Sequence, residues 1–360
     1  MLSVCFVAPH AWPVLSRDRR LPIVGGAEVQ QAILARLLAA RGHRVSMVCL
    51  DFGQPDRAEV DGITVHKAFR PEAGAPLIRF IHPRISSMWR ALRAADADLY
   101  YYRSASMWVW LVAEFCRRHG RRAIYAGASD KDFVPGQGGQ IRYARDRYLF
   151  QRGLAGVDLI VAQNERQRAT CRATYGRDAV VIPSCYELPK EETSIIRDRV
   201  LWVGTLHANK RPEILLELAA RLPQRRFVMI GGAGPERAFY ERIKSEAAKV
   251  PNVEFKGFLP LAEVEPWFDR AAVLVNTSLY EGMPNTFLQA WARGVPTVAT
   301  VDVGAPVHRI APDVDALAEE VENAFDNPAL GAVCREYFER SHSSRRVLER
   351  YEGLLAELAA

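Results

Sequence analysis

The sequence predicts an α/β protein made of two successive Rossmann-like, doubly wound domains that face a central cleft. Three observations support this prediction. The chain has 360 residues, of which 49% are hydrophobic, and about 100–200 residues per domain gives two domains. Short apolar strands alternate with amphipathic helices, which is typical of a parallel sheet covered on both faces. This alternation stops at residues 186–198 and then starts again.

The first half of the chain follows the alternating pattern from its start. A strand at 2–8 leads through a long loop to Gly25 and Gly26, where a helix over 27–40 begins. The remaining strands of this half are predicted at 44–50, 63–67, 99–102, 122–125, 159–162 and 180–182. Helices fill the gaps, including 106–119 and 165–175. We therefore expect residues 1–185 to form an N-terminal domain.

Residues 186–198 interrupt the pattern, and we interpret them as the linker between the domains. The wider segment 183–199 carries two prolines and a charged run at 190–192, without apolar periodicity. Further strands are predicted at 199–203, 226–230, 253–256, 273–276 and 296–300, with helices at 212–222, 235–249, 261–269 and 285–293. We expect 199–340 to form a C-terminal domain that binds its ligand at the carboxyl ends of the strands.

Composition argues against a secreted or membrane-spanning protein. The longest apolar run, 107–116, contains Glu114 and is shorter than the roughly 20 residues that span a bilayer. The first nine residues lack a cationic lead and a cleavage site, so we expect no signal peptide. The six cysteines show no C-x-x-C spacing, which indicates buried thiols in a reducing compartment. We expect a cytoplasmic protein.

The net charge of +6 and the pI near 9.0 permit two interpretations. Arginine pairs could attract phosphate-bearing ligands, nucleic acid or an anionic membrane. Alternatively, the arginines are dispersed over a solvated surface. The pairs are scattered along the chain instead of forming one tract, which favours dispersal, and we expect no nucleic-acid partner.

Glycines and a lysine at strand-to-helix junctions are candidates for phosphate binding. Gly25 and Gly26 precede a helix whose first N–H groups are unpaired, although a lone glycine pair is equally compatible with a plain loop. Lys210 precedes a helix that starts with Pro212, where its ammonium could neutralise a diphosphate or lie on the surface. The glycines at 231–234 lack the last glycine of a dinucleotide fingerprint, which disfavours a dehydrogenase.

The most informative segment runs from Tyr280 to Ala292. Glu281 follows a strand, and a Gly-x-Pro-Asn turn then leads into a helix, so that backbone N–H groups and a carboxylate are presented together. Gln289 lies further into the helix and has an amide that both donates and accepts hydrogen bonds, as a diol requires. A capped helix with a solvated glutamate is the alternative interpretation.

The ordered motifs resemble glycosyltransferase family 4, the retaining sugar-nucleotide transferases of GT-B architecture. They are G-G-A-E from Gly25, V-G-T-L-H-A-N-K from Val203 to Lys210, the G-G-A-G-P turn, and E-G-M-P-N-T-F-L-Q-A-W-A from Glu281 to Ala292. The resemblance covers nearly the whole chain. It implies an acceptor-side N-terminal domain, a donor-binding C-terminal domain and a last helix, 341–360, that packs back on the N-terminal domain.

The resemblance also implies roles for individual residues. Gly25, Gly26 and Lys210 would contact the donor diphosphate, and Glu281 would bind hydroxyls of the transferred sugar. Gln289 would contact the ribose. The implied donor site also includes Thr205, the turn of Phe258 and Leu259 beside the base, and Gly282, Met283, Pro284 and Asn285 beside phosphate and sugar.

The sequence departs from the family pattern in three places. Thr205 stands where the family often has arginine, and Gln289 replaces the second glutamate of the E-x7-E motif. The stretch 303–313 reaches the terminal helices without the usual additional helix and strand. We therefore expect a shortened rim around the donor pocket.

The catalytic and acceptor side carries weaker signals. Similar enzymes often have a histidine after an N-domain strand, and the corresponding stretch 125–132 has none. Our catalytic candidates are Ser129, Asp130, Lys210 and Glu281. Ser129 and Asp130 could contact the sugar or the acceptor, with a helix N-cap as the alternative for this pair. His10 and Arg103 follow predicted strands and are candidates on the acceptor side.

The resemblance implies transfer of a hexosyl unit, with retention, from a nucleoside diphosphate sugar to a hydroxyl of a glycan or small molecule, as in polysaccharide biosynthesis. We expect no cofactor and no metal, because no D-x-D pair stands at a strand end. A lipid-linked acceptor would imply peripheral membrane association. The alternatives are a catalytically degenerate nucleotide-sugar-binding protein and a GT-B-type epimerase. The oligomeric state is left open.

Overall fold

The computed structural model of the chain describes residues 1–18, 21, 25–75, 80–134, 141, 143–187 and 196–359. Two compact α/β units make up this part of the chain. The first is Met1–Ser184 together with Arg345–Ala360, and the second is Cys185–Ser344. Within the predicted linker, residues 188–195 lie outside the described residues. The predicted α/β class with two doubly wound sheets is confirmed.

The first unit contains an eight-stranded sheet. Its strands are β1 (Ser3–Val7), β2 (Arg44–Cys49), β3 (Arg57–Val60), β4 (Ile63–Lys67), β5 (Leu99–Arg103), β6 (Arg122–Ala126), β7 (Leu159–Ala162) and β8 (Val180–Val181), in the order β3-β4-β2-β1-β5-β6-β7-β8. Every pairing is parallel except that of β3 with β4. The expectation of an entirely parallel sheet is therefore wrong at this edge. Asp61 and Gly62 both have positive φ, which is the conformation of a two-residue hairpin turn.

Helices cover both faces of the first sheet. They are α1 (Trp12–Ser16), α2 (Gly26–Ala40), α3 (Ser86–Ala95), α4 (Trp108–His119), α5 (Ala144–Gly156), α6 (Glu165–Tyr175) and α13 (Ser344–Ala359). α1 lies in the stretch predicted as a long loop. Tyr100 and Tyr102 belong to one buried cluster with α3, α4 and α5. Tyr101 points the other way, and its hydroxyl lies 3.2 Å from that of Tyr351 in α13.

The second unit contains a six-stranded, fully parallel sheet. Its strands are β9 (Arg199–Val203), β10 (Arg226–Ile230), β11 (Val253–Gly257), β12 (Ala271–Asn276), β13 (Thr297–Ala299) and β14 (Arg309–Ile310), in the order β11-β10-β9-β12-β13-β14. The expectation that 303–313 lacks a strand is wrong, because β14 pairs with β13 there. Two residues are too few to give a periodic pattern in the sequence.

The remaining helices belong to the second unit. They are α7 (Pro212–Arg221), α8 (Arg237–Ala247), α9 (Leu261–Asp269), α10 (Asn285–Ala292), α11 (Val314–Asp326) and α12 (Ala329–Ser341). Buried side chains of α7 and α11 pack with Trp202, Phe227 and Val273 from the central strands. β9 and β12 are neighbours in this sheet, so the loops that follow them lie side by side.

Candidate active site

Arg211 joins the loop after β9 to the loop after β12. A short helical turn, Ala208–Lys210, follows β9, and Arg211 then adopts positive φ before α7 begins. Its guanidinium donates to the carbonyl of Thr277 (2.8 Å) and to the hydroxyl of Thr300 (2.6 Å). The hydroxyl of Thr277 donates in turn to the carbonyl of Lys210 (2.6 Å). These hydrogen bonds hold Lys210 beside the segment that carries Glu281.

Lys210 and Glu281 form an ion pair through Nζ and Oε1. The same carboxylate oxygen accepts hydrogen bonds from Ser278 Oγ (2.6 Å) and Asn276 Nδ2 (3.3 Å). The side chains are 23% and 14% exposed, so the pair is shielded but accessible to a ligand. The structure thus brings together the two residues for which the sequence predicts diphosphate and sugar binding.

His207 lies next to this ion pair. Burial is the main cause that lowers the pKa of its imidazole, and the ammonium of Lys210 lowers it further. Its Nδ1 accepts a hydrogen bond from the backbone N–H of Asn209 (3.3 Å). A neutral imidazole of this kind presents its other nitrogen as a donor.

The Gly282–Asn285 turn starts α10 as the sequence predicts. Pro284 has the extended backbone of a helix N-cap, and among the described residues no side chain caps the helix. Gly282 and Pro284 are buried, whereas Met283 and Asn285 are partly exposed. The first N–H groups of a helix favour an anion, which agrees with the predicted contact to phosphate. That contact stays a prediction.

Gln289 is buried in α10 and contacts α9. Its amide donates to Oε1 of Glu265 (2.9 Å), the oxygen that also accepts the hydroxyl of Tyr186. The other oxygen of Glu265 pairs with Arg293 (2.6 Å), which also bonds Asp269 (2.7 Å). In the described chain, therefore, the Gln289 amide is engaged with a carboxylate. Its predicted contact with a ribose is not tested by this arrangement.

The glycines at 231–234 allow close contact between neighbouring loops. A β-carbon on Gly231 would overlap with the carbonyl oxygen of Gly204, and one on Gly234 would lie 2.6 Å from that of Leu206. A β-carbon on Gly232 would lie 3.1 Å from the ring of Phe258. Close packing of these loops accounts for the glycines at 231 and 234. Phe258 with Leu259, and the exposed Thr205, remain predicted donor contacts.

Gly25 and Gly26 stand where the sequence predicts, at the start of α2. Gly25 is the N-cap, in an extended conformation, and Gly26 is the first helical residue. The carboxylate of Glu28 folds back so closely that a β-carbon on Gly25 would overlap with Oε2. This helix end therefore holds a carboxylate in the structure described, and its contact with a diphosphate stays a prediction.

The candidates on the acceptor side lie at the carboxyl edge of the first sheet. His10 is exposed after β1, with its ring 6.2 Å from that of Phe52. Arg103 ends β5, is buried, and donates from Nη2 to Ser184 Oγ (3.0 Å). Ser129 caps the short helical turn Asp130–Phe133, so the N-cap interpretation holds for its side chain.

Asp130 and Asp132 have different surroundings. Asp130 pairs with Arg166 and accepts from the Gln167 amide (2.8 Å). Asp132 is buried and accepts from the backbone N–H groups of Ala128 (2.8 Å) and Ser129 (3.2 Å). Burial raises the pKa of its carboxyl to about 6, against the opposing effect of those N–H groups.

Sequence reasoning missed Asp132 as a buried carboxylate, and it also missed Asn276 and Ser278. The Ser-x-x-Asp spacing from Ser129 was the signal for Asp132, since it is a capping box. Asn276 and Ser278 had no comparable signal. They acquire their role by bonding the Glu281 carboxylate.

Known structures share the fold of this chain. Sucrose-phosphate synthase from Thermosynechococcus elongatus superposes with a TM-score of 0.78 over 99% of both chains, at 19% identity. The catalytic domain of starch synthase IV from Arabidopsis thaliana, solved bound to ADP and acarbose, gives 0.67 over 99% of both chains, at 12% identity. The architecture is therefore GT-B, as predicted.

Sequence comparison identifies the family. Residues 24–188 match the model for Glycosyltransferase Family 4, and residues 197–327 match that for Glycosyl transferases group 1. A phosphatidylinositol N-acetylglucosaminyltransferase component from Arabidopsis thaliana is 29% identical over 342 residues, which cover 88% of this chain and 75% of that protein. The two matched ranges take up most of the chain, which belongs to the family 4 and group 1 glycosyltransferases, enzymes that transfer sugars.

Neither a membrane span nor a metal cluster is found in the described residues. No helix there is long and apolar enough to cross a bilayer. No group of three or more His, Cys, Asp or Glu side chains there could hold a metal ion.

Proposed function

We propose that this glycosyltransferase moves a hexosyl unit from a nucleoside diphosphate sugar to an acceptor hydroxyl, with retention of the anomeric configuration. The observation that carries the proposal is the ion pair of Lys210 and Glu281 at adjacent strand ends. A cation suited to a diphosphate and a carboxylate suited to sugar hydroxyls are what a sugar nucleotide requires. The ADP in the starch synthase structure supports a nucleoside diphosphate donor.

In the proposed reaction, the leaving diphosphate is the group that the protein stabilises. The bond between C1 of the sugar and the diphosphate oxygen breaks, and negative charge develops on that oxygen. Lys210 and the first N–H groups of α10 provide positive potential for that charge. The acceptor oxygen forms its bond to C1 on the same face, and its proton passes to the diphosphate. Retention then needs no protein nucleophile.

Glu281 orients the sugar in this proposal. Its Oε1 is held by Lys210, Ser278 and Asn276, so the carboxylate is fixed before the donor binds. A fixed acceptor of hydrogen bonds positions sugar hydroxyls without a further loss of side-chain entropy. We further propose that no divalent metal takes part, because Lys210 supplies the counter-charge to the diphosphate.

The acceptor is proposed to be a hydroxyl of a glycan or of a small molecule, which includes a lipid-linked one. The similarity to a phosphatidylinositol N-acetylglucosaminyltransferase component supports a lipid-linked acceptor and the transfer of a hexosamine. We propose a cytoplasmic location. With a lipid-linked acceptor, the enzyme would associate with the membrane peripherally.

A panel of sugar nucleotides tests the proposed function. The purified protein is incubated with each donor, with and without candidate acceptors, and release of nucleoside diphosphate is measured. We expect release with one donor class, stimulated by acceptor and reduced at least tenfold in Lys210→Ala. Lys244→Ala is the matched control, since Lys244 is exposed on α8. Binding without release for every pair would contradict the proposal and indicate a nucleotide-sugar-binding protein, and donor epimerisation without release would indicate an epimerase.

A further inference from the structure

One surface of the first unit combines exposed apolar and cationic side chains. We call it the 80–152 face, and it consists of Phe80, Ile81, Arg145, Tyr148 and Arg152. Ile81 is 68% exposed and Tyr148 is 60% exposed. The guanidinium of Arg145 lies 3.7 Å from the ring centroid of Phe80, which joins the segment Phe80–Ile85 to α5. Large apolar side chains exposed beside arginines indicate an interaction surface.

The spacing of residues along α5 places the arginines and the tyrosine of the 80–152 face on one side of the helix. Arg145, Tyr148 and Arg152 follow one another at i, i+3 and i+7, which places them on one side of the helix. The other side, with Phe150 and Leu154, is buried in the cluster that includes α4. The exposed side therefore has no apolar role within the core of the unit.

The charge of the neighbouring sequence is strongly positive. Residues 80–95 contain three arginines and no carboxylate, and residues 143–152 contain three arginines and one aspartate. That aspartate, Asp146, already lies 2.8 Å from Arg145. The 80–152 face itself has Arg145 and Arg152 against this one aspartate, so it carries an excess of positive charge together with Ile81 and Tyr148.

The position of the 80–152 face follows from the topology of the sheet. α3 leads into β5, and α5 leads into β7, so both helices begin at the carboxyl edge of the parallel strands. Phe80 and Ile81 lie just before α3, and Arg145 is in the first turn of α5. His10 and Arg103, the acceptor-side candidates, lie at the same edge. The face therefore borders the region where we expect the acceptor.

We propose that the 80–152 face docks on an anionic lipid bilayer. Tyrosine and isoleucine side chains favour the interface between lipid headgroups and acyl chains, and arginines are attracted to anionic headgroups. Each such arginine strengthens binding by about fivefold, or about 1 kcal/mol. The charge excess favours a bilayer over an apolar protein partner. The proposal extends the lipid-linked acceptor of the proposed function, and it does not depend on donor binding.

Vesicle co-sedimentation tests the proposal on the full chain without donor or acceptor. The probes are phosphatidylcholine vesicles with and without phosphatidylglycerol, at low and high salt. Two double variants remove the charge (Arg145→Ser with Arg152→Ser) or the apolar side chains (Ile81→Ser with Tyr148→Ser). The matched control is Val333→Ser with Arg340→Ser, because Val333 is 53% exposed and Arg340 is exposed on α12.

We expect the wild type to bind anionic vesicles and to be released by salt. The charge variant should bind at least about tenfold more weakly, and the apolar variant should also lose binding, while the control binds like the wild type. No binding by the wild type, equal binding to neutral vesicles, or unchanged binding of both variants would overturn the proposal. Self-association abolished by the same variants, without vesicle binding, would also overturn it and indicate a protein partner. Each of these results leaves the proposed function open, because that function is tested separately by nucleoside diphosphate release.

Discussion

At the scale of single residues, the ion pair of Lys210 and Glu281 has the sharpest consequence for ligand binding. Without ligand, the ammonium of Lys210 is neutralised by the carboxylate that we assign to the sugar. A bare nucleoside diphosphate must therefore compete with Glu281 for Lys210, and it offers Glu281 no hydroxyls in return. An intact sugar nucleotide engages both side chains. The pair should favour the donor over the nucleoside diphosphate product.

Substitution of each partner separates these roles. We expect Lys210→Ala to weaken nucleoside diphosphate binding by about 1.5–3 kcal/mol, the range for a hydrogen bond to a charged group. Glu281→Gln should bind the nucleoside diphosphate at least as tightly as the wild type, because the competing charge is gone. It should bind the sugar nucleotide more weakly. Titration calorimetry of the wild type and both variants with each ligand measures these affinities.

The control for this comparison is Lys244→Ala, which removes an exposed lysine of the same unit. It should leave every affinity unchanged. If Glu281→Gln lost nucleoside diphosphate affinity to the same extent as Lys210→Ala, Glu281 would have to belong to the diphosphate site. Our assignment of the carboxylate to the sugar would then be wrong.

The meeting of Lys210 and Glu281 could be predicted from sequence because both follow strands of one parallel sheet. The partner of Gln289 could not be predicted from the sequence. The amide bonds Glu265, which is 24 residues earlier in the chain on another helix, and only the packing of α9 against α10 brings the two together. For Ser129 the sequence left two interpretations open, and the short helical turn that follows it shows that its side chain is an N-cap.

At the scale of elements, strong periodicity was sufficient for most of the second sheet. β9, β10 and α9 have the bounds that the sequence predicts. The elements that were missed are short or carry another kind of signal. α1 has five residues and β14 has two, which is too little for a periodic pattern. β3 was missed although Asp61-Gly62 is a hairpin signal, whereas β4 has the bounds that the sequence predicts.

The last helix provides a prediction at this scale. In α13, Tyr351 and Leu355 are buried one turn apart in the first unit. We expect Leu355→Ala to destabilise that unit by about 2–5 kcal/mol, the cost of removing a buried leucine side chain. Calorimetric unfolding gives the loss, and hydrogen exchange should locate it at β5, whose Tyr101 contacts Tyr351.

Glu357→Ala is the control for the α13 prediction, because Glu357 is exposed on the same helix. It should leave the unfolding temperature within about 1 °C of the wild type, as for a surface substitution. Equal unfolding temperatures for Leu355→Ala and wild type would show that α13 contributes nothing to the first unit.

At the scale of the whole molecule, length and alternation predicted two α/β units, and each has its own sheet and buried cluster. The net charge of +6 was less informative, because scattered arginine pairs looked like an ordinary solvated surface. Only the structure shows that Arg145 packs on Phe80. A count of charges cannot predict contacts between segments that are more than 60 residues apart in the chain.

The central claim is retaining transfer from a nucleoside diphosphate sugar without a metal, and proton NMR of one reaction tests it most directly. The reaction uses the donor and acceptor found in the panel, with EDTA present. We predict a product whose new linkage has the anomeric configuration of the donor, formed at the rate seen without EDTA. An inverted linkage, or a rate lost to EDTA and restored by Mg²⁺, would contradict the claim.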